Sequence, residues 1–380
     1  MTPVAAAARA GTAEPARHQP SVTELVAASV PAGCDARALW RALGHAGVAR
    51  SLLTDSAESL GIDPGRLSEL LTALDARLAP GPVLSVCVQV ATVLPLLETC
   101  AATSPLAAGV LREMLRGEAM VALAATDAGL SGSALLDLRT RAEIDADGVT
   151  LDGGKEWITN AGQSDHLLVL ARCRPARHFT SFCWVLVPAR HPGVSFRPAA
   201  GALLPGAGLG HLRLDGVRLG REHVIGRPGR ALAELARQLG AERLAGALWA
   251  RALCRRVLAD TQRQLLARST GTATLWDNAA VRDRFARCVV QLCQLDALCE
   301  LSTTRAITPA YGMVLKSTCA TTTDQILAEC LNLRGAAAYD DDGLSRTREQ
   351  FAMFGIAGGV TGAMLAGIAD HADELLDALG

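Results

Sequence analysis

The chain has 380 residues, a formal net charge of −1, 50% hydrophobic residues and only 3% aromatic residues. At ~100–200 residues per domain, this length is enough for several domains with a sizeable core. The balanced charge and the scarcity of aromatic rings argue against a nucleic-acid-binding protein, which needs a basic surface and stacking platforms. The 11 cysteines are scattered and form no C-x-x-C pair, so we expect free thiols, no metal site and a cytoplasmic protein.

The N-terminal part of the chain is predicted to be helical after a short tail. Residues 1–20 are rich in Ala, Pro and Arg and lack the apolar core of a signal peptide, which predicts a disordered tail. Residues 21–117 carry apolar side chains at helical spacing, with Asp35 and Asp63 at expected N-cap positions. The apolar run Val83–Leu97 falls short of the ~20 residues of a membrane span, so it predicts a buried helix and no membrane contact.

The middle of the chain changes to a strand-like pattern. Residues 118–226 contain short runs rich in aliphatic and β-branched residues, such as Leu167–Leu170 and Trp184–Val187, and glycines and prolines separate these runs. Strands at this spacing without helices between them predict an antiparallel β-barrel or sandwich.

The C-terminal part, residues 227–380, returns to long helices. One of them is lined by Leu244, Leu248, Leu253 and Val257. Another is lined by Val281, Phe285, Val289, Leu292 and Leu295. The predicted fold class is therefore mainly α with a central β-domain.

A family resemblance rests on the segment from Val121 to Ala161, which ends in Lys155-Glu156-Trp157-Ile158-Thr159-Asn160-Ala161. This segment resembles the middle-domain signature of the acyl-CoA dehydrogenase family, T-E-P-x-A-G-S-D followed by a hairpin and N-G-x-K-x-W-I-T-N-A. Gly240-Ala241-Glu242-Arg243-Leu244 resembles the L-x-x-E-R start of the family's C-terminal domain. The resemblance covers about residues 25–375. It implies an N-terminal helical domain, a middle β-domain and a C-terminal four-helix bundle.

The resemblance implies a site for FAD. By their positions in the motif, Trp157 packs on the flavin and Thr159 hydrogen-bonds its edge, while Leu123 and Ala124 border the cofactor. Arg268 corresponds to a family arginine that reaches the FAD of a neighbouring subunit, which implies a homo-oligomer, dimer or tetramer. The alternative is that Trp157 covers the β-sheet as part of its core.

The family's catalytic base has two locations, and this chain matches one of them. The position of the common glutamate in the C-terminal loop is Gly358, which has no side chain to act as a base. The other location, on a helix directly before an arginine, is Glu242, before Arg243. The resemblance therefore implies Glu242 as the base that removes the substrate's α-proton, with the Gly358 backbone N–H as an oxyanion donor. The alternative is a solvated glutamate near a helix N-terminus, favoured by the helix dipole.

Further positions are implied for the substrate, and others depart from the family. Gly129, Leu130 and Arg243 are expected to bind the substrate, and the next carboxylates to test as a base are Asp340–Asp342. Ala124 replaces a threonine that hydrogen-bonds the flavin, Leu130 replaces a serine, and Arg334-Gly335-Ala336-Ala337-Ala338 replaces G-G-x-G-Y.

These features leave three functions open. The first is an FAD-dependent dehydrogenase acting on an acyl thioester of CoA or of an acyl carrier protein. Its product would be a polyketide or peptide intermediate of specialised metabolism, and an electron-transferring flavoprotein would be its partner. The second is a flavin oxidase or monooxygenase on the same fold. The third is a flavin-free descendant with a non-redox or binding role.

Overall fold

A computed structural model describes residues 20–54, 61–130, 134–201, 204–304, 307–339 and 343–378. The predicted N-terminal tail lies outside the described residues except for Pro20, and so do Asp340–Asp342.

The first part of the described chain is helical. Its helices are α1 (Val22–Ser29), α2 (Ala36–His45), α3 (Val48–Ser51), α4 (Pro64–Asp75), α5 (Pro80–Val88), α6 (Leu94–Ala101) and α7 (Pro105–Leu115). The predicted N-caps are confirmed, because the side chains of Asp35 and Asp63 accept hydrogen bonds from the backbone N–H groups of Ala38 and Arg66.

The apolar run predicted to be a buried helix lies in the centre of this region. A π-helical segment, Gln89–Val93, joins α5 to α6, so one helical rod runs from Pro80 to Ala101. This rod is long and apolar enough to cross a membrane, but 78% of its most apolar window is buried inside the protein, as in the core helix of a soluble protein. The buried Gln89 side chain donates to the Val121 carbonyl at 2.5 Å and accepts from the Val121 N–H at 3.2 Å. The rod is thereby attached to the first strand of the β-domain.

The middle region forms one sheet of eight strands. They are β1 (Val121–Ala124), β2 (Arg141–Ile144), β3 (Val149–Ile158), β4 (His166–Arg172), β5 (Phe182–Pro188), β6 (Val194–Pro198), β7 (Gly210–Leu219) and β8 (Val224–Ile225). The order is β6-β7-β3-β2-β4-β5-β8, and β1 pairs with β4.

The β-domain is confirmed, but its sheet is mixed rather than purely antiparallel. Strands β1 and β2 both pair with β4 in parallel, β2 only at Arg141–Arg172. The β2–β3 hairpin lies between β1 and β4 in the chain, so β4 returns beside β1 by a crossover connection. Crossover connections are what parallel neighbours require, whereas tight hairpins give antiparallel ones.

Three long helices and three short ones form the C-terminal region. They are α8 (Ala231–Ala267), α9 (Ala279–Thr304), α10 (Pro309–Arg334), α11 (Leu344–Phe351), α12 (Thr361–Asp370) and α13 (Ala372–Asp377). The helical bundle is confirmed, and short helices stand where a continuous fourth helix is expected. Leu244, Leu248 and Val257 are buried as predicted. Val289 is 39% exposed, because it lies on the side of α9 that faces away from the core.

The two faces of the sheet belong to different cores. On strands β4 and β5, Leu168 and Trp184 face the large core shared with the helices. Their neighbours Val169 and Val185 face a second core inside the β-domain. Because successive side chains on a strand point to opposite faces, both central strands are buried on both sides. The sheet is therefore fixed rigidly against the rod and α8.

Candidate active site

Glu242 lies in the interior of α8. The helix begins at Ala231, about three turns before Glu242 at 3.6 residues per turn, so the expected helix start at this motif is wrong. Glu242 is half-buried. One turn earlier, the buried Gln238 side chain donates to the Ala91 carbonyl of the π-helical segment at 2.8 Å, which fixes this part of α8 against the rod.

The surroundings of Glu242 are unlike those of a solvated surface glutamate. Burial raises the pKa of Glu242 above its ordinary value, although the positive charges of Lys316 and Arg243 act in the opposite direction. The thiol of Cys87, on α5, faces the same region: burial raises its pKa to about 12, and the charge of Glu242 contributes. Because Glu242 lies in the interior of α8 and is half-buried, the alternative of a solvated glutamate at a helix N-terminus is wrong.

Gly358 lies against this carboxylate. It follows a short 3-10 helix, Ala352–Gly355, and has φ +71°, while Gly359 has φ +119°. A Cβ atom at Gly358 would lie 3.1 Å from Glu242 Oε1. The left-handed backbone favours glycine here, and a Cβ atom would in addition make a tight contact with Glu242. The structure brings the two residues expected to be catalytic close together.

Backbone groups of Gly358 are oriented by the site. Its carbonyl accepts a long hydrogen bond of 3.5 Å from Arg243 Nε. Its N–H makes no hydrogen bond with any residue in the described ranges, so it is free to donate to a ligand. Arg243, expected to bind substrate, is half-buried and packs beside Gly312, where a Cβ atom would lie 3.5 Å from the Arg243 side chain.

Sequence reasoning missed Lys316, which completes this cluster from α10. It is 5% exposed, and its ammonium donates to the Phe354 carbonyl in the segment before Gly358. A Cβ at Gly358 would lie 3.7 Å from Lys316 Cε. One signal was present in the sequence: of its 37 Lys and Arg residues, only Lys155 and Lys316 are lysines.

Trp157 lies on the β-domain, at an irregular point of β3. The β3–β7 register shifts between Lys155 and Ile158, and Trp157 has φ +58°, which is uncommon for a bulky residue. Its side chain is 60% exposed and contacts the His211 ring edge-on, with centroids 5.1 Å apart. The alternative of a core tryptophan is therefore wrong. Thr159, two residues on, is half-buried.

A buried polar network holds the backbone that follows Trp157. Asn160 has φ +67°, and its Oδ1 accepts hydrogen bonds from Ser85 Oγ at 2.5 Å and Gln163 Nε2 at 2.8 Å. Asn160 Nδ2 donates to the Ser85 carbonyl at 3.1 Å. Because Ser85 belongs to α5, the rod fixes the end of β3 as well as β1.

The other expected cofactor and substrate residues lie in different places. Ala124 is fully buried in the core of the β-domain, so its side chain offers no surface to a cofactor, contrary to expectation, whereas Leu123 is half-buried. Gly129 is exposed, with φ +69°, and its N–H donates to Glu156 Oε2 at 3.2 Å. Leu130 beside it is half-buried.

Arg268 lies at the far end of α8. It is exposed, and its Nη1 donates to the Arg334 carbonyl at 3.1 Å. It borders an open cavity of about 320 Å³ lined also by Leu265, Leu275 and Leu333. At a rise of ~1.5 Å per residue, Arg268 and Glu242 are ~39 Å apart along the helix. One chain therefore does not bring these two residues together.

Comparison with known proteins identifies the fold. Residues 122–217 match the acyl-CoA dehydrogenase middle domain, and residues 232–372 match the C-terminal domain of the same family. The chain belongs to the acyl-CoA dehydrogenase family. This membership indicates an oxidoreductase.

Relatives of this acyl-CoA dehydrogenase family member include proteins that differ in substrate. The chain is 25% identical to the acyl-[acyl-carrier-protein] dehydrogenase MbtN of Mycobacterium sp. (strain MCS), over 70% of this chain and 72% of that protein. It is 30% identical to the acyl-CoA dehydrogenase IpdE1 of Mycobacterium tuberculosis (strain ATCC 25618 / H37Rv), over 41% of this chain and 40% of that protein.

Solved structures share the whole fold at low identity. The prolyl acyl carrier protein oxidase AnaB has a TM-score of 0.80 at 18% identity, with 88% of this chain and 90% of that chain covered. The FAD complex of PigA has a TM-score of 0.79 at 19% identity, with 89% of each chain covered.

The family implies FAD, and this chain retains part of a fit for it. The exposed indole of Trp157 and the Thr159 hydroxyl stand at one end of β3, on a backbone that a buried network constrains. An exposed tryptophan at positive φ is costly to maintain, and such strain clusters at ligand sites. An open groove of about 700 Å³ is lined by residues of β3, β6 and β7, among them His211, which contacts Trp157. The exposed indole offers an apolar surface against which a planar ring system such as a flavin can pack. Among the described residues, no cluster of three or more side chains suits a metal ion.

Proposed function

We propose that this chain is an FAD-dependent dehydrogenase that desaturates an acyl thioester between its α- and β-carbons. The observation that carries the proposal is the close approach of Glu242 to Gly358: a half-buried carboxylate with a raised pKa lies beside a backbone N–H that donates to no described residue. A carboxylate is a stronger base when its pKa lies closer to the working pH.

The Glu242 carboxylate and the Gly358 N–H have different roles at the substrate. Glu242 takes the proton from the α-carbon, and the Gly358 N–H donates to the thioester oxygen as negative charge develops there. A preorganised donor of this kind typically lowers the activation barrier by about 3–4 kcal/mol. Arg243 orders the turn through the Gly358 carbonyl, which keeps the N–H in place.

FAD, when bound, would accept the hydride from the β-carbon. Trp157 would pack on its ring system and Thr159 would hydrogen-bond its edge. Because Arg268 and Glu242 are ~39 Å apart along one helix, we propose that Arg268 serves the cofactor of a neighbouring copy in a homodimer or homotetramer.

The exposed apolar residues of the C-terminal region support an oligomer. Cys288, Cys299, Cys319 and Cys330 are buried within the chain. The large exposed apolar residues in the described part of the C-terminal region are Leu266, Val289, Val290, Tyr339, Ile356, Val360, Leu365 and Leu376.

The acyl carrier is proposed to be a carrier protein of specialised metabolism rather than free CoA. This choice is supported by the relative MbtN, named as acting on acyl-carrier-protein substrates, which matches along most of its length. Gly129 and Leu130 would then border the thioester, and an electron-transferring flavoprotein would reoxidise the enzyme in the cytoplasm.

The test compares Glu242→Gln with Glu234→Gln in the purified protein. Glu234 lies two turns earlier on the same helix; burial raises its pKa too, and it accepts a hydrogen bond from Trp184 Nε1 at 3.1 Å. The absorption spectrum first establishes whether flavin is bound. Bleaching of the flavin without oxygen then reports desaturation of acyl chains presented on CoA or on a carrier protein.

We expect Glu242→Gln to slow bleaching at least ~10²-fold with flavin retained, the low end of general-base contributions. Glu234→Gln should bleach at the normal rate. Equal rates in both variants, or a colourless protein that added FAD does not restore, would reject the proposal. Fast reoxidation of the reduced protein by air would identify an oxidase instead.

A further inference from the structure

Lysine is almost absent from this chain. Of 37 Lys and Arg residues, 35 are arginines. The two lysines, Lys155 and Lys316, are 0% and 5% exposed, whereas most arginines lie at the surface. Arginine carries a wide, planar group that stays charged, while lysine carries a compact ammonium on a flexible stem. The two positions that keep lysine are thus ones where a small ammonium must fit in the interior.

Lys155 has a complete set of partners, and Lys316 does not. Lys155 pairs with Asp127 and donates to two backbone carbonyls. Lys316 donates to the Phe354 carbonyl, and no carboxylate of the described residues lies within ion-pair distance of it. Its stem packs at the Gly358 turn, on the same side as Glu242 Oε1. Burial lowers the pKa of Lys316, and the charge of Glu242 acts against this.

We propose that Lys316 is a positioning residue for Glu242: its ammonium ties the Phe354 segment so that the Gly358 turn stays against the carboxylate, and its charge favours the ionised form of that carboxylate. Only the consequence for catalysis rests on the proposed dehydrogenase function. The structural and electrostatic coupling of the two side chains does not.

Other groups around Glu242 and Lys316 also affect the ionisation of these two side chains. Arg243 favours the ionised Glu242 and disfavours the charged Lys316. The thiols of Cys87 and Cys319 lie beside Glu242 and Lys316 respectively, and burial raises the pKa of each to about 12, so both stay neutral near pH 7. Lys316 and Arg243 are therefore the two cations that act on Glu242.

The direct test is an infrared titration of the Glu242 carboxyl group, whose protonated band is assigned by its loss in Glu242→Gln. Lys316→Met removes the charge at similar length. Arg348→Met is the matched control. Arg348, on α11, pairs at the surface with Asp324 of α10, the helix that also carries Lys316, so the variant removes one positive charge away from Glu242. We expect the midpoint of the Glu242 titration to rise by about 1 pH unit or more in Lys316→Met, because a nearby positive charge that favours the carboxylate is lost. Arg348→Met should leave it unchanged.

Lys316→Arg separates charge from shape. The positive charge of the arginine should return the midpoint of the Glu242 titration most of the way to its original value. The larger guanidinium should displace the Gly358 turn, so turnover should be lowered. An unchanged midpoint in Lys316→Met would overturn the proposal.

A reciprocal measurement keeps the proposal testable if Lys316→Met does not fold. Protein labelled with [13Cε]lysine gives two side-chain signals, because the chain has two lysines. In Glu242→Gln, the Lys316 signal should titrate at lower pH, by the same amount as Glu242 responds to Lys316, since coupling is reciprocal. No shift would overturn the coupling. Both titrations work without turnover, so a coupled pair in an inactive protein would reject the dehydrogenase and not this inference.

Discussion

Lys155 and Asp127 form an ion pair of 2.5 Å that is buried in the β-domain, with side chains 0% and 3% exposed. The pair closes the loop after β1: Asp127 also accepts hydrogen bonds from the N–H and hydroxyl of Thr140, both at 2.8 Å. Lys155 also donates to the carbonyls of Ala125 and Leu170, at 3.0 and 2.7 Å. The start of the loop that carries Gly129 is therefore held by Lys155, which lies two residues before Trp157.

Removing one partner of this pair should destabilise the fold. Lys155→Met leaves the Asp127 charge buried without a counter-charge, which typically costs about 3–5 kcal/mol. Urea denaturation measures the loss. The double variant with Asp127→Asn should recover part of it. The exposed pair Arg177–Asp137 is the control, and Arg177→Met should leave the free energy of unfolding nearly unchanged. A similar small loss in Lys155→Met would show that the interior tolerates the lone carboxylate.

The same pair predicts acid sensitivity. Burial alone would raise the pKa of Asp127, but the Lys155 ammonium and the Thr140 donors bring it below the ordinary value of 3.8. A carboxyl whose pKa is lowered by folding stabilises the protein above its unfolded pKa, and this stabilisation is lost as the pH falls through the folded value. Unfolding free energy should therefore fall below about pH 4, and less steeply in the double variant. Equal slopes would exclude Asp127 as a contributor.

Trp157→Ala should separate cofactor binding from stability. Because the indole is 60% exposed, its loss should change the free energy of unfolding by less than ~1 kcal/mol, not by the ~3–5 kcal/mol of a buried aromatic. If FAD is bound, its occupancy should fall, as read from the ratio of flavin to protein absorbance. Phe179→Ala, which removes an aromatic ring 53% exposed, is the control and should retain the cofactor. Full occupancy in Trp157→Ala would place the flavin elsewhere.

The sequence predicted the layout of the fold because its signals are local. Runs of β-forming residues, helical spacing and the caps Asp35 and Asp63 each depend on neighbouring residues, and the strands, helices and caps that they predict were confirmed. The parallel β1–β4 pairing could not be predicted, since it depends on a distant crossover. Lys316 was missed for the same reason: its burial and its approach to Gly358 arise only when α10 packs against the C-terminal turn. A motif places Glu242, but only the packing shows that it is half-buried beside Gly358.

Gly358→Ala tests whether the glycine turn is needed at the carboxylate. The added methyl group would lie 3.1 Å from Glu242 Oε1 and would force an unfavourable φ of +71°. Turnover should fall, and the Glu242 carboxyl should titrate at a changed pH. Gly362→Ala is the control in α12, where nothing lies within 4 Å of the added Cβ, and it should stabilise the helix by about 0.5–1 kcal/mol. Normal turnover in Gly358→Ala would remove this turn from the active site.

The final prediction concerns the division of the active site between two copies of the chain. Arg268 is exposed at the end of α8, and the helix rise places it ~39 Å from Glu242. If Arg268 completes the site of a neighbouring copy, oligomers made only of Arg268→Ala chains and oligomers made only of Glu242→Gln chains should both be inactive.

Mixed oligomers should then regain activity. The two variants are co-expressed with different tags and purified as hybrids. In a hybrid dimer, one of the two sites combines Glu242 of the Arg268→Ala chain with Arg268 of the Glu242→Gln chain, so it contains both original residues. A hybrid dimer should therefore have about half the activity of the unaltered dimer, because a two-fold interface forms two equivalent sites. Light scattering establishes the mass of the hybrid, and flavin content confirms loading of the restored site. Hybrids as inactive as their parents would mean that Arg268 and Glu242 act within one chain or that Arg268 has no part in the site.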